Sequence, residues 1–523
     1  ALSAVAVTAP AADAADPAPA GSGASWLVKQ LTDGLVMGAY EDGGQTLGYT
    51  DHGLSADILL ALDAIGGQDA AVATIADALA TDVETWHSSF AAPVDAGAVA
   101  KSLLVAQAAG LDVTDFGGVD LVTKLEARIV DTAGPTQGRL VNDGSTYGGD
   151  FRSAISQALA VQALDALPEP SDKLGAATSF LLEQQCAAGF FRQRLATVDA
   201  ADQTCEGGGD LAVPDPDATA IAIVALQSQL DVPAVAATVG RAVTWLAAQQ
   251  QPNGSFGGGA QTEAPNANST GLAASALAAS GRPAAAALAA TWIRGHQLQN
   301  VGTCAPYGAA DVGAVASNDA GLAAAAAADI EVLTADPYRR ASAQAIPALQ
   351  YAPAATGPLT LTGPQDFVRA GSTQTLTTSG VAPGATACLT GTGLTSSLVG
   401  APTASTAQVS LPVTTGESTY TLTTAAGTAQ TTISALAGAK LKVKLARAKV
   451  ATGTKVKVTV SGLVKGESVR LLLRGGVVKK GQASARGVFT AKIKVSGKRG
   501  KAKVKVFGEF DDRRGSKSIT VIR

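Results

Sequence analysis

The chain has 523 residues and a formal net charge of −4, long enough for several domains. That small total hides a strong polarity: residues 440–523 hold 24 Lys and Arg against 4 Asp and Glu, a net of +20, and the remainder carries −24. Three His and four Cys without Asp-x-Cys or Cys-x-x-Cys spacing argue against a zinc centre, and no apolar run reaches the ~20 residues of a membrane-spanning helix.

The first residues, ALSAVAVTAPAADAADPAPAGSGAS, read as the tail of an apolar segment, an Ala-x-Ala at Ala12 to Ala14, and a Pro/Ala/Gly linker. That pattern is what a secretory signal peptide leaves behind. Residues 1–23 are therefore assigned to a signal-peptide remnant and linker. The mature protein is expected to be exported, soluble or held non-covalently at the cell surface. The Ala and Gly load, with few Lys before residue 436, fits a high-GC Gram-positive bacterium.

From residue 24 to 352 one pattern returns six times: Asp or Asn, then an Ala/Leu-rich run. It starts at Asp51, Asp95, Asp150, Asp217, Asn268 and Asn318, at steps suited to a helix pair with a variable loop. Such residues accept hydrogen bonds from the free N–H groups of a first turn, so all six are expected to be N-caps. The runs they open are apolar on most faces and read as buried helices. Their partners are more amphipathic and end in an aromatic followed by glutamine: Trp26 to Gln30, Phe180 to Gln184 and Gln185, Trp245 to Gln249 and Gln250, Trp292 to Gln297. In two repeats the match runs on, Gly189 and Phe191 corresponding to Gly254 and Phe256.

This aromatic, Gln, Gly, aromatic unit resembles the QW motif of the squalene/hopene cyclase and protein prenyltransferase repeat, a superfamily that also includes cobalamin carriers and complement thioester domains. The resemblance implies an all-α, six-hairpin α/α toroid, with each Gln bonded to backbone at the start of a neighbouring helix. Its activity motifs are incomplete in this chain. Class II cyclases carry Asp-x-Asp-Asp-Thr, the middle Asp being the acid; here the stretch is Asp215-Pro216-Asp217-Ala218-Thr219, without the last Asp. A chain that is 4% aromatic also offers few rings to a carbocation. The zinc ligand set of the prenyltransferases and the Cys-Gly-Glu-Gln of the thioester proteins are missing, and no cofactor or metal is implied.

If the six runs lie parallel, residues six past each cap share a layer: Asp57, Lys101, Ser156, Ile223, Ala274 and Ala324. Asp57 and Lys101 then meet at one depth, either as an ion pair closing the ring or as an anchor for a ligand. His52, Asp95, Asp150, Asp217 and Asn268 fall on the rim above them. Four Cys in an exported chain suggest disulfides. Cys186 and Cys205 bracket a polar loop within one repeat, while Cys304 and Cys388 either bridge the last repeat to the next domain or remain free.

Helical periodicity gives way to alternating Thr, Val, Ser and Gly near Pro353 to Pro358, the signature of β-strands. Val368 through Gly384 matches Val450 through Gly466 at a constant offset of 82, which predicts two tandem immunoglobulin-like sandwiches, 355–436 and 437–523. In the second, alternate lysines give each strand one charged and one apolar face. With only Phe489, Phe507 and Phe510 as rings, an anionic cell-wall polymer suits this surface better than nucleic acid. The expected function is a secreted, non-catalytic toroid that binds a small molecule or protein at its mouth and is tethered by its basic end. The alternatives are an isoprenoid-processing enzyme with Asp215 and Asp217 at its centre, and a structural surface adhesin.

Overall fold

The computed structural model describes residues 15–88, 94–143, 153–392, 394–400 and 407–522; Asp150 and the Ala12 to Ala14 stretch lie outside them. The described chain divides into two compact units, 15–358 with 380–388 and 397–400, and 359–379 with 389–396 and 407–522.

The first unit carries α1 (Ala18–Val28), α2 (His52–Ile65), α3 (Asp69–Thr81), α4 (Val83–His87), α5 (Ala96–Ala108), α6 (Leu121–Glu126), α7 (Ala154–Asp165) and α8 (Leu174–Glu183), then α9 (Pro216–Ala225), α10 (Pro233–Ala248), α11 (Ala267–Ala279), α12 (Pro283–His296), α13 (Asp319–Ala327) and α14 (Asp336–Ala345). Their contacts follow one order: α2 packs on α5, α5 on α7, α7 on α9, α9 on α11, α11 on α14, and α14 on α2. A second series lies against the first, α3 on α2, α6 on α5, α8 on α7, α10 on α9 and α12 on α11, while α1 packs on α14. The first series is buried on most faces, as in α5, where Val99, Ala100, Leu103, Val105 and Ala106 are fully covered.

Glutamines tie the second series together. Gln185 Nε2 donates to Thr238 O of α10, Gln250 Nε2 to Ala285 O of α12, and Gln297 Nε2 to Pro19 O of α1, each at 2.8 to 2.9 Å. Gly254 is required beside Gln250. Its φ is +95°, and a Cβ there would stand 2.3 Å from Leu288 O.

Two expectations are corrected here. The sixth helix of the first series is α14, not the run after Asn318. That run forms α13, but it buries only Ala325, whereas α14 buries Tyr338, Arg339, Ala341, Ser342, Ala343 and Ala345. Alanine favours helix without supplying much area to bury, so a run of it marks a helix and not a core position. The first unit is also not all-α: β1 (Leu31–Thr32), β2 (Leu35–Asp42) and β3 (Gln45–Asp51) form an antiparallel sheet. Gly43 and Gly44, at φ +57° and +78°, supply the two-residue turn between β2 and β3.

Both predicted pairs of cysteines are disulfides. Cys186 joins Cys205, and Cys304 joins Cys388, so the last pair is a bridge. With the 3.3 Å bond from Thr386 N–H to Gln299 Oε1, that bridge holds residues 380–388 in the first unit.

The remaining strands form two modules. The earlier has β4 (Thr360–Thr362), β5 (Val368–Arg369), β6 (Thr373–Ser379), β7 (Thr386–Gly391), β8 (Leu394–Val399), β9 (Ala407–Pro412), β10 (Gly416–Thr424) and β11 (Gly427–Leu436). The later has β12 (Lys442–Leu445), β13 (Lys449–Ala451), β14 (Lys455–Ser461), β15 (Ser468–Leu473), β16 (Gly476–Gln482), β17 (Val488–Lys494), β18 (Gly500–Phe507) and β19 (Arg514–Ile522). The sheet orders are β4-β6-β9 and β5-β11-β10-β7-β8, then β12-β14-β17 and β13-β19-β18-β15-β16. Every strand of the first module thus has its counterpart eight strands later, which is the structural form of the 82-residue repeat. In the later module the alternate residues Val456, Val458, Val460, Ile493, Val504, Val506 and Ile519 make a shared core between the two sheets.

Candidate functional site

Five helices of the first series, α2, α5, α7, α9 and α11, and α13 beside them start on a capping side chain. Asp51 Oδ1 accepts from Leu54 N–H at 2.8 Å, Asp95 Oδ1 from Gly97 and Ala98 at 2.9 and 3.1 Å, and Asn318 Oδ1 from Gly321 at 3.0 Å. In the other three repeats the cap is a different residue from the expected one. Ser153 caps α7, Asp215 caps α9 through Ala218 N–H at 2.8 Å, and Asn266 caps α11 through Ser269 N–H at 2.8 Å. Several polar residues precede each of these helices, and cap preference alone does not choose between them.

The displacement moves the predicted layer. Two residues of helix turn a side chain by about 200°, so Ile223 and Ala274 are fully buried, and Ile221 and Leu272 take the half-buried face; in α7, where the cap differs by three residues, Ser156 and Leu159 are both half-buried. The Asp57 and Lys101 positions hold: Lys101 Nζ meets Asp57 Oδ1 at 2.7 Å, each side chain about a quarter exposed. Ser156 instead lies 3.3 Å from the Ser153 hydroxyl. His52 Nε2 contacts Asp82 Oδ2 at 3.1 Å. Asn268 donates to Gln344 Oε1 of α14 at 2.9 Å.

Asp217 is thereby left without a capping role. It sits in the first turn of α9, two residues past the cap, with Oδ1 shut off from solvent and without a hydrogen-bond partner. Burial pushes its carboxyl up to about 6, and neighbouring Asp215 adds to the rise, while the nearby Ser269 hydroxyl acts in the opposite sense. The Ser269 hydroxyl itself has no partner in hydrogen-bond geometry. Asp215 is raised too, chiefly by burial, against the pull of the backbone N–H groups it caps. The chain crosses above these carboxylates at Gly258, where a Cβ would stand 2.9 Å from Asp217 Oδ2 and 2.8 Å from Ser269 Oγ. Arg340 was not singled out by sequence. It binds Asp51 Oδ2 at 2.5 Å and Asp336 Oδ2 at 3.0 Å, joining α14 to the cap of α2.

The later β-module concentrates positive charge on its outer faces. Across β14 and β17, Lys455 stands directly opposite Lys494 and Lys457 opposite Lys492, all four exposed. All four carboxylates of the module are engaged: Glu467 with Arg513 at 2.7 Å, Glu509 with Ser468 N–H at 3.0 Å, Asp511 with Arg470 and Asp512 with Arg369, both at 2.8 Å. None is bound to a lysine. Among the described residues no cluster of three or more His, Cys, Asp or Glu is placed to hold a metal ion, and no helix is long and apolar enough to cross a membrane.

No family model matches the chain, and neither does any curated protein. Among solved structures, the chain is similar to a type II terpene cyclase from Scytonema, at 15% identity over 54% of this chain and 78% of that one, TM-score 0.40. It is similar to a protein from Actinoplanes at 17% identity, over 64% of this chain and 99% of that one, TM-score 0.42. A third likeness is to ent-copalyl diphosphate synthase from Streptomyces platensis, at 18% identity, covering 57% and 50% of the respective chains, TM-score 0.38.

Proposed function

We propose that the helical unit is an α/α toroid that binds a small ligand or protein at the mouth where its helix starts gather. In this reading the basic C-terminal module, an immunoglobulin-like sandwich, tethers a secreted, non-catalytic protein to an anionic polymer of the cell envelope, with domains at 24–352, 355–436 and 437–523. The order of helix contacts, which returns from α14 to α2, supports the ring. At its mouth, Asp57, Lys101, Ser156, His52, Asp95 and Asn268 supply polar groups beside apolar walls, the usual composition of a small-molecule site.

The observation that carries the tether is the lysine-on-lysine register of β14 and β17. Like charges held opposite each other destabilise a sheet, and every carboxylate of the module is engaged elsewhere. A dense anionic partner relieves that repulsion and draws the module to it. The test is retention of the full-length protein on isolated envelope as salt is raised. Release at moderate ionic strength is expected, because the attraction is screened; retention that ignores salt would overturn the tether.

A second reading rests on Asp217. A buried carboxyl with one unpartnered oxygen and a pKa near 6 is suited to donate a proton, which favours an isoprenoid-processing enzyme. Asp217→Asn that folds normally yet loses turnover of an isoprenoid substrate would establish it.

A further inference from the structure

The later β-module has a second charged surface, on the sheet opposite the β14 and β17 lysines. A pocket of 520 Å³ opens there, lined by Lys440, Lys503, Lys505, Phe507, Arg514 and Ser516. Lys440 pairs with Arg514 through a parallel bridge, and Phe507 lies directly across from Arg514. The four cations are exposed, and among the described residues none forms an ion pair or a side-chain hydrogen bond. Asp512 also borders the pocket, but its carboxylate is held by Arg369.

The register gives this surface a repeat. On β18 the outward residues are Lys501, Lys503 and Lys505, and across on β19 stand Thr520, Ser518 and Ser516. An ammonium and a hydroxyl therefore sit side by side three times in a line, at the ~6.8 Å step of alternate strand residues. Both groups are donors suited to one cluster of anionic oxygens. Arg514, at the end of the line, adds a guanidinium fork that matches phosphate oxygens in pairs. Phe507 is the one ring in the pocket, and among the described residues of the module no row of exposed rings is present on which nucleobases could stack.

We infer that this groove is a binding site for a linear, base-free polyphosphodiester, with successive phosphates seated on the Lys501/Thr520, Lys503/Ser518 and Lys505/Ser516 pairs and one on Arg514. The inference rests on the reading of the module as an anion-binding tether and gives it a specific seat. The lysines of the other sheet supply long-range attraction, and the groove supplies the aligned contacts.

The probe is poly(glycerol phosphate) of defined length, with hyaluronate and duplex DNA at equal charge as competitors. Binding to the full-length protein is measured by calorimetry across a series of salt concentrations. The wild type is compared with Lys503→Gln/Lys505→Gln/Arg514→Gln and with Lys479→Gln/Lys480→Gln/Arg486→Gln, which removes the same charge away from the groove. Groove substitution is expected to weaken binding at least 10-fold and to flatten the slope of log K against log salt by about 2 to 3, while the second triple variant changes affinity less than 3-fold. Equal losses from both variants overturn the groove and leave the tether reading standing. Tighter binding of hyaluronate, abolished by the groove variant, overturns the phosphodiester assignment, and tighter binding of DNA, abolished in the same way, overturns the assignment to a base-free polymer. A wild type that binds no polyanion overturns both readings. Should the groove variant fail to fold by thermal unfolding, Lys503→Gln and Arg514→Gln are made singly, each expected to lower the salt slope by about 1.

Discussion

Lys101 and Asp57 lie 44 residues apart in the chain, yet their side chains meet at 2.7 Å across the α2 and α5 contact. Each is about a quarter exposed, so solvent screens the pair and its coupling is expected to be modest. A double-mutant cycle of Asp57→Ala and Lys101→Ala should return about 0.5 to 1 kcal/mol. A coupling near zero would mean that the pair contributes nothing to joining the two helices.

Asp217 makes stability depend on pH in a stated direction. Its carboxyl is raised from 3.8 to about 6 in the folded protein, so between those values the folded state holds a proton that the unfolded state has lost. Stability therefore falls as pH rises from about 4 through 6, by on the order of 2 to 3 kcal/mol in all. Asp217→Asn removes that slope, and its melting temperature should exceed the wild type's most clearly at pH 7. Parallel curves for the two proteins across this range would contradict the buried, unpartnered carboxyl.

The cap assignment separates two asparagines. Asn266→Ala should cost about 1 kcal/mol, because Ser269 N–H loses its acceptor. Asn268→Ala breaks only a 2.9 Å side-chain bond to Gln344 that is partly open to water, and should cost less. Thermal unfolding of the two variants decides it, and the reverse order would restore Asn268 as the cap.

The two disulfides close loops of different length, with separations of 19 and 84 residues. In the chain-entropy account their removal costs about 3 and about 4.5 kcal/mol. Paired Cys→Ser variants, followed by thermal unfolding, should rank in that order. Intact mass before and after reduction should rise by the hydrogens of both bridges.

Relief of lysine repulsion is also measurable. Lys492→Thr removes one of two like charges facing each other across β14 and β17. The variant is expected to be more stable by about 0.5 kcal/mol at low ionic strength, with the gain shrinking as salt screens the pair. An equal gain at high salt would point to strand propensity rather than charge.

Much of the architecture was legible. The recurring polar residue before an Ala/Leu run marked α2, α5, α7, α9 and α11, and the glutamines after Trp245 and Trp292 marked the side chains that reach the next helix. The β2 and β3 hairpin was also written in the sequence, in Gly43-Gly44 between two β-rich runs, but the helical repeat masked it. The site was less legible. Asp217 looked like a cap because Asp215, Pro216 and Asp217 all suit a helix start, and only the backbone decides which N–H groups each carboxylate can reach.

Local pattern was enough for the helical repeats, the change to strands after Pro353, the 82-residue duplication and the lysine faces, because each is a periodicity that backbone geometry converts directly into an element and a face. Tertiary structure decided that α14 rather than α13 packs between α11 and α2, that Cys304 meets Cys388, that Lys101 meets Asp57, and that Asp217 is buried without a partner. Those outcomes depend on which surfaces distant segments present to one another, and a two-residue change in a helix start turns a side chain to the opposite face without altering the local pattern.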